Sequence, residues 1–164
     1  MTQELLDLKM AILNNDADRA LEIVQELETM DREDQINNIQ SYLVVLMVHL
    51  LKIEIENRII NSWRSSILNS LLRIQRLNRM GNKKTPYIKS NRWEEYILEI
   101  LPEVYLKAAT EINEGQYSDS ELETLTDEPK LINTTISFLK LTSDRNPSLL
   151  KQTASKQLEN ITYK

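Results

Sequence analysis

The chain has 164 residues and a mass of 19.2 kDa, with a net charge of −5, no cysteine, two glycines and one histidine. This length suits one domain, or a domain with an extension. The lack of cysteine excludes disulfides, thiolate nucleophiles and the common structural zinc sites, and two glycines cannot build a glycine-rich phosphate loop.

The composition favours an all-α protein, because sheets need glycine in their turns and this chain is rich in helix-forming residues. Apolar periodicity predicts a bundle of six to seven helices. The first helix is expected over residues 3–13. A second helix follows, capped by Asp16 or Asp18, and the short loop predicts antiparallel packing of the two.

A long central helix is predicted over residues 31–57, with Asp31 at its start. Its apolar positions from Ile36 to Ile55 cover more than half of the helix circumference. A helix that is apolar on most sides belongs in the middle of a bundle. We therefore expect this segment to form the core.

The next two helices have predicted boundaries at glycine and proline. A fourth helix is expected over residues 62–80, with Gly81 as its left-handed terminal residue. Residues 85–86, Thr-Pro, could begin a fifth helix. Because Pro102 lies inside that helix, we expect a kink or a break near residues 98–101.

The last third of the chain begins with an acidic stretch. Residues 113–129 are predicted to be a loop with one short helical turn, followed by a sixth helix over 130–142. Asn146 and Pro147 resemble a cap and a first helical residue, which predicts a last helix to about residue 161. We expect two regions: a bundle core at 1–114, and an acidic loop with a helical extension at 115–164.

Nothing in the sequence indicates export. No stretch reaches about 18 uninterrupted apolar residues, and the N-terminus lacks the basic region of a signal peptide. We therefore expect a cytoplasmic protein with no membrane association.

Residues of the central and fourth helices carry a family resemblance. Residues 46–52, Leu-Met-Val-His-Leu-Leu-Lys, are followed by Ser-Trp-Arg at 62–64, and later by Tyr105 three residues before Ala108. In this order and spacing the chain, over about residues 5–112, resembles a bacterial family that is frequent in cyanobacteria and described as domain of unknown function twenty-nine. The resemblance implies an all-helical fold and no reaction.

His49 is the one side chain whose ordinary pKa lies near neutral pH, so it is a candidate catalytic base. The alternative is a half-buried histidine that donates one N–H to a carboxylate or a carbonyl. With no nucleophile motif and no glycine-built oxyanion loop, we favour this structural role.

Metal sites and stacking sites are also weighed against structural roles. A di-iron motif would need a glutamate three residues before His49, where Leu46 stands. A carboxylate-only metal site remains open among four residues that fit a solvated helix face better: Glu94, Glu95, Glu99 and Glu103.

Trp63 falls on the apolar stripe, and Arg64 is expected to pair with an acidic group such as Glu54 or one on the second helix.

Charge segregation is the strongest signal. Residues 57–93 contain nine basic residues and no acidic one, whereas residues 1–56 have a net charge of −8. A basic block can bind phosphate backbones, or it can face acidic helices of its own chain or of a second subunit. The candidate contact residues are Arg73, Arg76, Arg79, Lys83 and Lys84.

We therefore expect a non-enzymatic interaction or regulatory module without a cofactor. A protein partner would meet the basic helix or the acidic loop near Asp119, and pairing of acidic and basic surfaces across a two-fold axis predicts a homo-oligomer. Non-specific nucleic-acid binding is the alternative. The motif residues His49, Lys52, Trp63, Arg64 and Tyr105 are expected to be structural.

Overall fold

The fold is all-α, as predicted. The computed structural model describes residues 2–79 and 85–161, and within them the chain forms seven α-helices and a 3₁₀ turn. Their bounds are α1 (Gln3–Leu13), α2 (Ala17–Glu56), α3 (Asn61–Leu77), α4 (Trp93–Glu111), the turn (Ile112–Gly115), α5 (Asp119–Leu125), α6 (Glu128–Leu141) and α7 (Pro147–Ile161).

Two compact units divide the chain at a point inside α2. The N-terminal unit is Met1–Asn37 and the C-terminal unit is Asn38–Lys164. The different division expected from the sequence, at residue 114, stays a prediction about domain organisation.

In the N-terminal unit, a tight connection joins α1 to α2. Asn15 adopts a left-handed conformation with φ of 57°, and the Asp16 N–H donates to the Ala11 carbonyl at 2.9 Å. The Asp16 carboxylate accepts a hydrogen bond from the Arg19 N–H at 3.1 Å and so caps α2. Asp16 is therefore the capping residue of the two predicted. The antiparallel packing of these segments stays a prediction.

In the C-terminal unit, the second half of α2 supplies the core. Ile39, Leu43, Leu46, Met47 and Leu51 are completely buried. A hydrogen bond also joins this segment to α4: the Gln40 side-chain amide donates to the Glu99 carboxylate at 2.9 Å. Around it, α3 packs on α7, α4 on α5 and α6, and α6 on α7. The expected central core is confirmed.

The long helix begins earlier than predicted, at Ala17 instead of Asp31. The apolar stripe pauses between Leu27 and Ile36, which suggested two helices. No glycine or proline interrupts this stretch, however, so the backbone continues as one helix of 40 residues. A stretch of 18 residues in α2 has a mean hydropathy of 1.3, and 56% of it is buried. By length and composition α2 is able to span a membrane, and the core helix of a soluble protein has the same length and composition.

The end of α3 also differs from the prediction. The helix ends at Leu77, whereas Met80 was expected, and the expected terminal Gly81 lies outside the described residues. The buried Asn78 explains the earlier end. Its amide nitrogen donates to the Ile88 carbonyl at 3.0 Å, and its amide oxygen accepts from the Ile88 N–H at 2.8 Å. These tertiary hydrogen bonds hold the chain outside the helix.

The structure contradicts the predicted start of α4 and the predicted break inside it. Residues 85–86 do not begin the helix, which begins at Trp93, because Tyr87 and Ile88 are buried in a non-helical connection. Of the kink or break expected near residues 98–101, the break is not found, since α4 runs through Pro102, and the kink stays a prediction. Pro102 is exposed, so its ring and its missing N–H lie on the solvent side of the helix.

The acidic stretch contains more helix than expected. Besides the 3₁₀ turn, it forms α5, whose N-terminus has a complete capping box between Ser118 and Glu121. The last two helices agree with the prediction. The Asn146 side chain accepts from the Ser148 N–H at 3.0 Å and the Leu149 N–H at 3.2 Å, so it caps α7 as expected.

Candidate functional site

Two of the motif residues come together where α2, α3 and α4 meet. Lys52 and Trp63 are both buried, with 8% exposure each, and the Lys52 ammonium lies 5.6 Å from the centroid of the Trp63 ring. The same ammonium forms an ion pair with Glu111 at 3.0 Å. The Arg58 guanidinium lies 5.2 Å from the Trp63 centroid. Both cation–π contacts fix the entry into α3 against α2.

His49 lies one helical turn before Lys52 and is half-buried. Its Nδ1 lies 2.8 Å from the Val45 carbonyl oxygen, so Nδ1–H donates to the backbone of its own helix. Burial lowers the pKa of His49 below its ordinary value, and the Lys52 charge lowers it further, against the opposing effects of the Val45 carbonyl and Glu111. The imidazole is therefore neutral at pH 7. The expected hydrogen bond to a carbonyl is confirmed.

The partner expected for Arg64 is not found. Its guanidinium donates to the Ser155 hydroxyl of α7 at 2.9 Å, and not to Glu54. The Glu54 carboxylate accepts instead from the Asp127 N–H at 3.3 Å. Burial raises the pKa of Glu54, and this carboxylate lines a cavity of about 160 Å³ between α2 and α6.

Tyr105 anchors α4 to α6. Its ring is buried, and its hydroxyl donates to the Glu128 carboxylate at 3.1 Å. Burial raises the pKa of Tyr105 well above its usual range, and the Glu128 carboxylate raises it further. The acceptors Glu111 and Glu128 were missed in the sequence, because no local spacing relates either of them to its partner on a distant helix.

The four glutamates considered as a metal site do not share one environment. Glu94 and Glu103 are exposed, Glu95 pairs with Arg92, and Glu99 accepts from Gln40. Among the described residues, no group of three or more histidine, aspartate and glutamate side chains is arranged to hold a metal ion.

A cleft lined by arginines lies at the opposite end of α3. We call it the arginine cleft; its volume is about 430 Å³, and it is lined by Leu72, Arg73, Gln75, Arg76, Arg79, Arg145 and Pro147. The structure thus brings together three of the five basic residues selected from the sequence. The other two, Lys83 and Lys84, lie outside the described residues. Arg145 was missed, since it lies far from the basic segment in the sequence.

These observations define an all-α fold in which four of the five motif residues make contacts between helices, whereas His49 bonds to its own helix. A family model described as domain of unknown function DUF29 matches residues 13–137. The chain therefore belongs to the DUF29 family. The match extends beyond residue 112, where the resemblance in the sequence ended, and so includes α5 and most of α6. No curated protein and no solved structure matches the chain.

Proposed function

We propose that this protein is a non-enzymatic interaction module and that its N-terminal unit binds a basic protein partner. The observation that carries the proposal is the exposure of α1. This helix has six large apolar side chains, and five of them are exposed: Leu5, Leu6, Met10, Ile12 and Leu13. An exposed apolar cluster on a charged surface is typical of a protein interaction site.

The exposure is concentrated in one part of the molecule. Among residues 2–79 and 85–161, thirteen large hydrophobic side chains are exposed, and eight of them lie in the first 37 residues. The first half of α2 contributes three of the eight: Leu21, Val24 and Met30. Burying such side chains against a partner would contribute about 25 cal/mol for each Å² removed from water.

The charge of the N-terminal unit indicates the chemistry of the partner. Residues 1–37 contain ten acidic and three basic residues, a net charge of −7. A partner must therefore present positive charge around an apolar patch. Self-association through this unit alone would bring two acidic surfaces together, which opposes it at low salt. An anionic lipid surface is disfavoured for the same reason.

A defined probe tests the proposal. We expect a synthetic amphipathic helical peptide of leucine and lysine to bind the full-length protein, as measured by fluorescence anisotropy. The affinity should fall as salt is raised, because exposed charges are screened within about 10 Å at 0.1 M salt. Equal binding of a leucine–glutamate peptide, or preferential binding of anionic vesicles, would contradict the proposal.

Matched double variants locate the binding surface. Ile12→Gln with Leu13→Gln should weaken peptide binding about tenfold or more, because two exposed apolar side chains leave the interface. The control is Leu98→Gln with Leu106→Gln, which changes two side chains on α4 that are also half or more exposed. Equal losses for both pairs would place the surface elsewhere, and light scattering of each variant reports any self-association.

Nucleic-acid binding is the second candidate, and the gathering of Arg73, Arg76 and Arg79 on one cleft supports it. Binding directed at the phosphate backbone must weaken steeply as salt rises. A gel-shift titration at two salt concentrations tests this. The absence of a shift with single-stranded or double-stranded DNA at ~50 mM salt would contradict nucleic-acid binding.

A further inference from the structure

We infer that the arginine cleft is a binding site for a phosphate-bearing ligand, in which Arg145 completes the set supplied by α3 and by Arg79 just after its end. The inference does not depend on the proposed partner of the N-terminal unit. It also goes beyond general attraction to nucleic acid, since it defines one pocket with named contact groups outside the basic segment.

Two elements hold the four guanidinium groups around the cleft. Arg73 and Arg76 are three residues apart on α3, so they lie on the same helix face. Arg79 follows the end of that helix, and Arg145 comes from the loop before α7. The buried Gln75 ties that loop to α3, because its amide donates to the Asp144 carbonyl at 2.6 Å. The arrangement is thus built by a tertiary contact.

The positive charge of the cleft is not neutralised from within. No carboxylate of the described residues forms an ion pair with Arg73, Arg76, Arg79 or Arg145. The nearest acidic residue in sequence, Asp144, does not line the cleft, and its carboxylate accepts from the Asn146 N–H at 2.8 Å. Four adjacent cations repel one another, so a bound anion would remove a cost that the free protein carries.

One guanidinium nitrogen provides a second, independent observation. Arg79 Nη1 is buried and has no hydrogen-bond partner within residues 2–79 and 85–161. A buried donor without an acceptor costs free energy, and the cost is larger for a charged group. Because Arg79 also lines the cleft, an anion bound there would lie beside this guanidinium group.

The donors select a phosphate group. A guanidinium group can donate two parallel hydrogen bonds to the oxygens of one phosphate. A phosphate group carries several charged oxygens, so it can accept hydrogen bonds from several guanidinium groups at once. Pro147 lines the cleft as the first residue of α7, so the positive dipole end of this helix lies beside it, while the Ser148 and Leu149 N–H groups are already bound by the Asn146 side chain. A second cavity of about 360 Å³ shares Arg73 and Arg76, so a ligand with two linked phosphates has room beside the first.

Pyrophosphate is the probe. We expect saturable binding to the full-length protein by isothermal titration calorimetry, with a rise in melting temperature. Arg145→Gln and Arg76→Gln should each weaken binding about tenfold, since each removes a charge-assisted hydrogen bond. Lys107→Gln, which removes an exposed charge on α4, is the matched control and should leave the affinity unchanged.

A competition experiment separates the two sources of phosphate. Displacement of pyrophosphate by a short oligothymidylate would show that the cleft also takes a phosphate of a nucleic-acid backbone, whereas binding of pyrophosphate without displacement would assign the site to small ligands. Lack of saturable pyrophosphate binding would overturn the inference, even if the oligonucleotide binds elsewhere. Equal weakening by Lys107→Gln and the two cleft variants would also overturn it.

Discussion

The two units of this protein use apolar side chains in opposite ways. Large apolar side chains of the C-terminal unit are mostly buried, and its segment of α2 is completely buried at Ile39, Leu43 and Leu46. The N-terminal unit instead exposes most of those in α1 and carries a charge of −7, whereas residues 38–164 carry +2. Helical periodicity alone therefore does not separate a buried apolar stripe from an exposed one.

The largest expected difference between the units is in the stability lost when one leucine in each is shortened to alanine. Leu46→Ala should lower the free energy of unfolding by about 2–5 kcal/mol, because Leu46 is completely buried and the surrounding core cannot fill the space. Leu13→Ala should change it by about 0.5 kcal/mol or less, since Leu13 is 65% exposed. Urea denaturation measures both. Similar losses would show that α1 is part of the stabilising core.

The buried polar groups of the C-terminal unit sharpen the contrast. Asn78→Ala should cost about 2–4 kcal/mol, because it leaves both the N–H and the carbonyl of Ile88 without their partners. The control is Asn69→Ala, which changes an exposed asparagine on α3. If the two variants unfold at the same urea concentration, then the Asn78 hydrogen bonds do not determine the end of α3.

Helix capping gives a smaller difference between the units. Asn146→Ala should destabilise the protein by about 1 kcal/mol, because its side chain accepts from two N–H groups of α7. At α1 the corresponding residue is Thr2, whose side chain makes no capping hydrogen bond. Thr2→Ala should therefore have little effect, and a thermal shift equal to that of Asn146→Ala would contradict this.

The smallest expected effect is a change in the pH dependence of stability. Because the pKa of His49 is lowered in the native state, the unfolded chain takes up a proton first as pH falls through about 6.5. Proton uptake stabilises the unfolded chain, so this contribution to stability is complete above that pH and declines below it. His49→Gln should make the free energy of unfolding fall less between pH 7.5 and 5.5, as measured by urea denaturation at each pH. Identical pH dependence in both proteins would show that burial does not perturb this imidazole.

Local patterns predicted the features that depend on neighbouring residues in the chain. The fold class, the core face of α2 and the Asn146 cap each follow from spacings within a few turns. Other features depend on contacts between distant segments, as in the end of α3, which the Asn78–Ile88 pair determines. Likewise, Ser155 replaces an acidic partner for Arg64, and Arg145 joins the arginine cleft, because tertiary packing places α7 beside α3.

Hydrogen–deuterium exchange of the full-length protein, with and without the leucine–lysine peptide, tests the central claim most directly. In the free protein, amides of residues 39–53 should be the most protected and those of α1 among the least. Adding the peptide should increase protection within residues 3–30 and leave α4 unchanged. Unchanged exchange in α1, or new protection confined to residues 93–111, would contradict an interaction surface in the N-terminal unit.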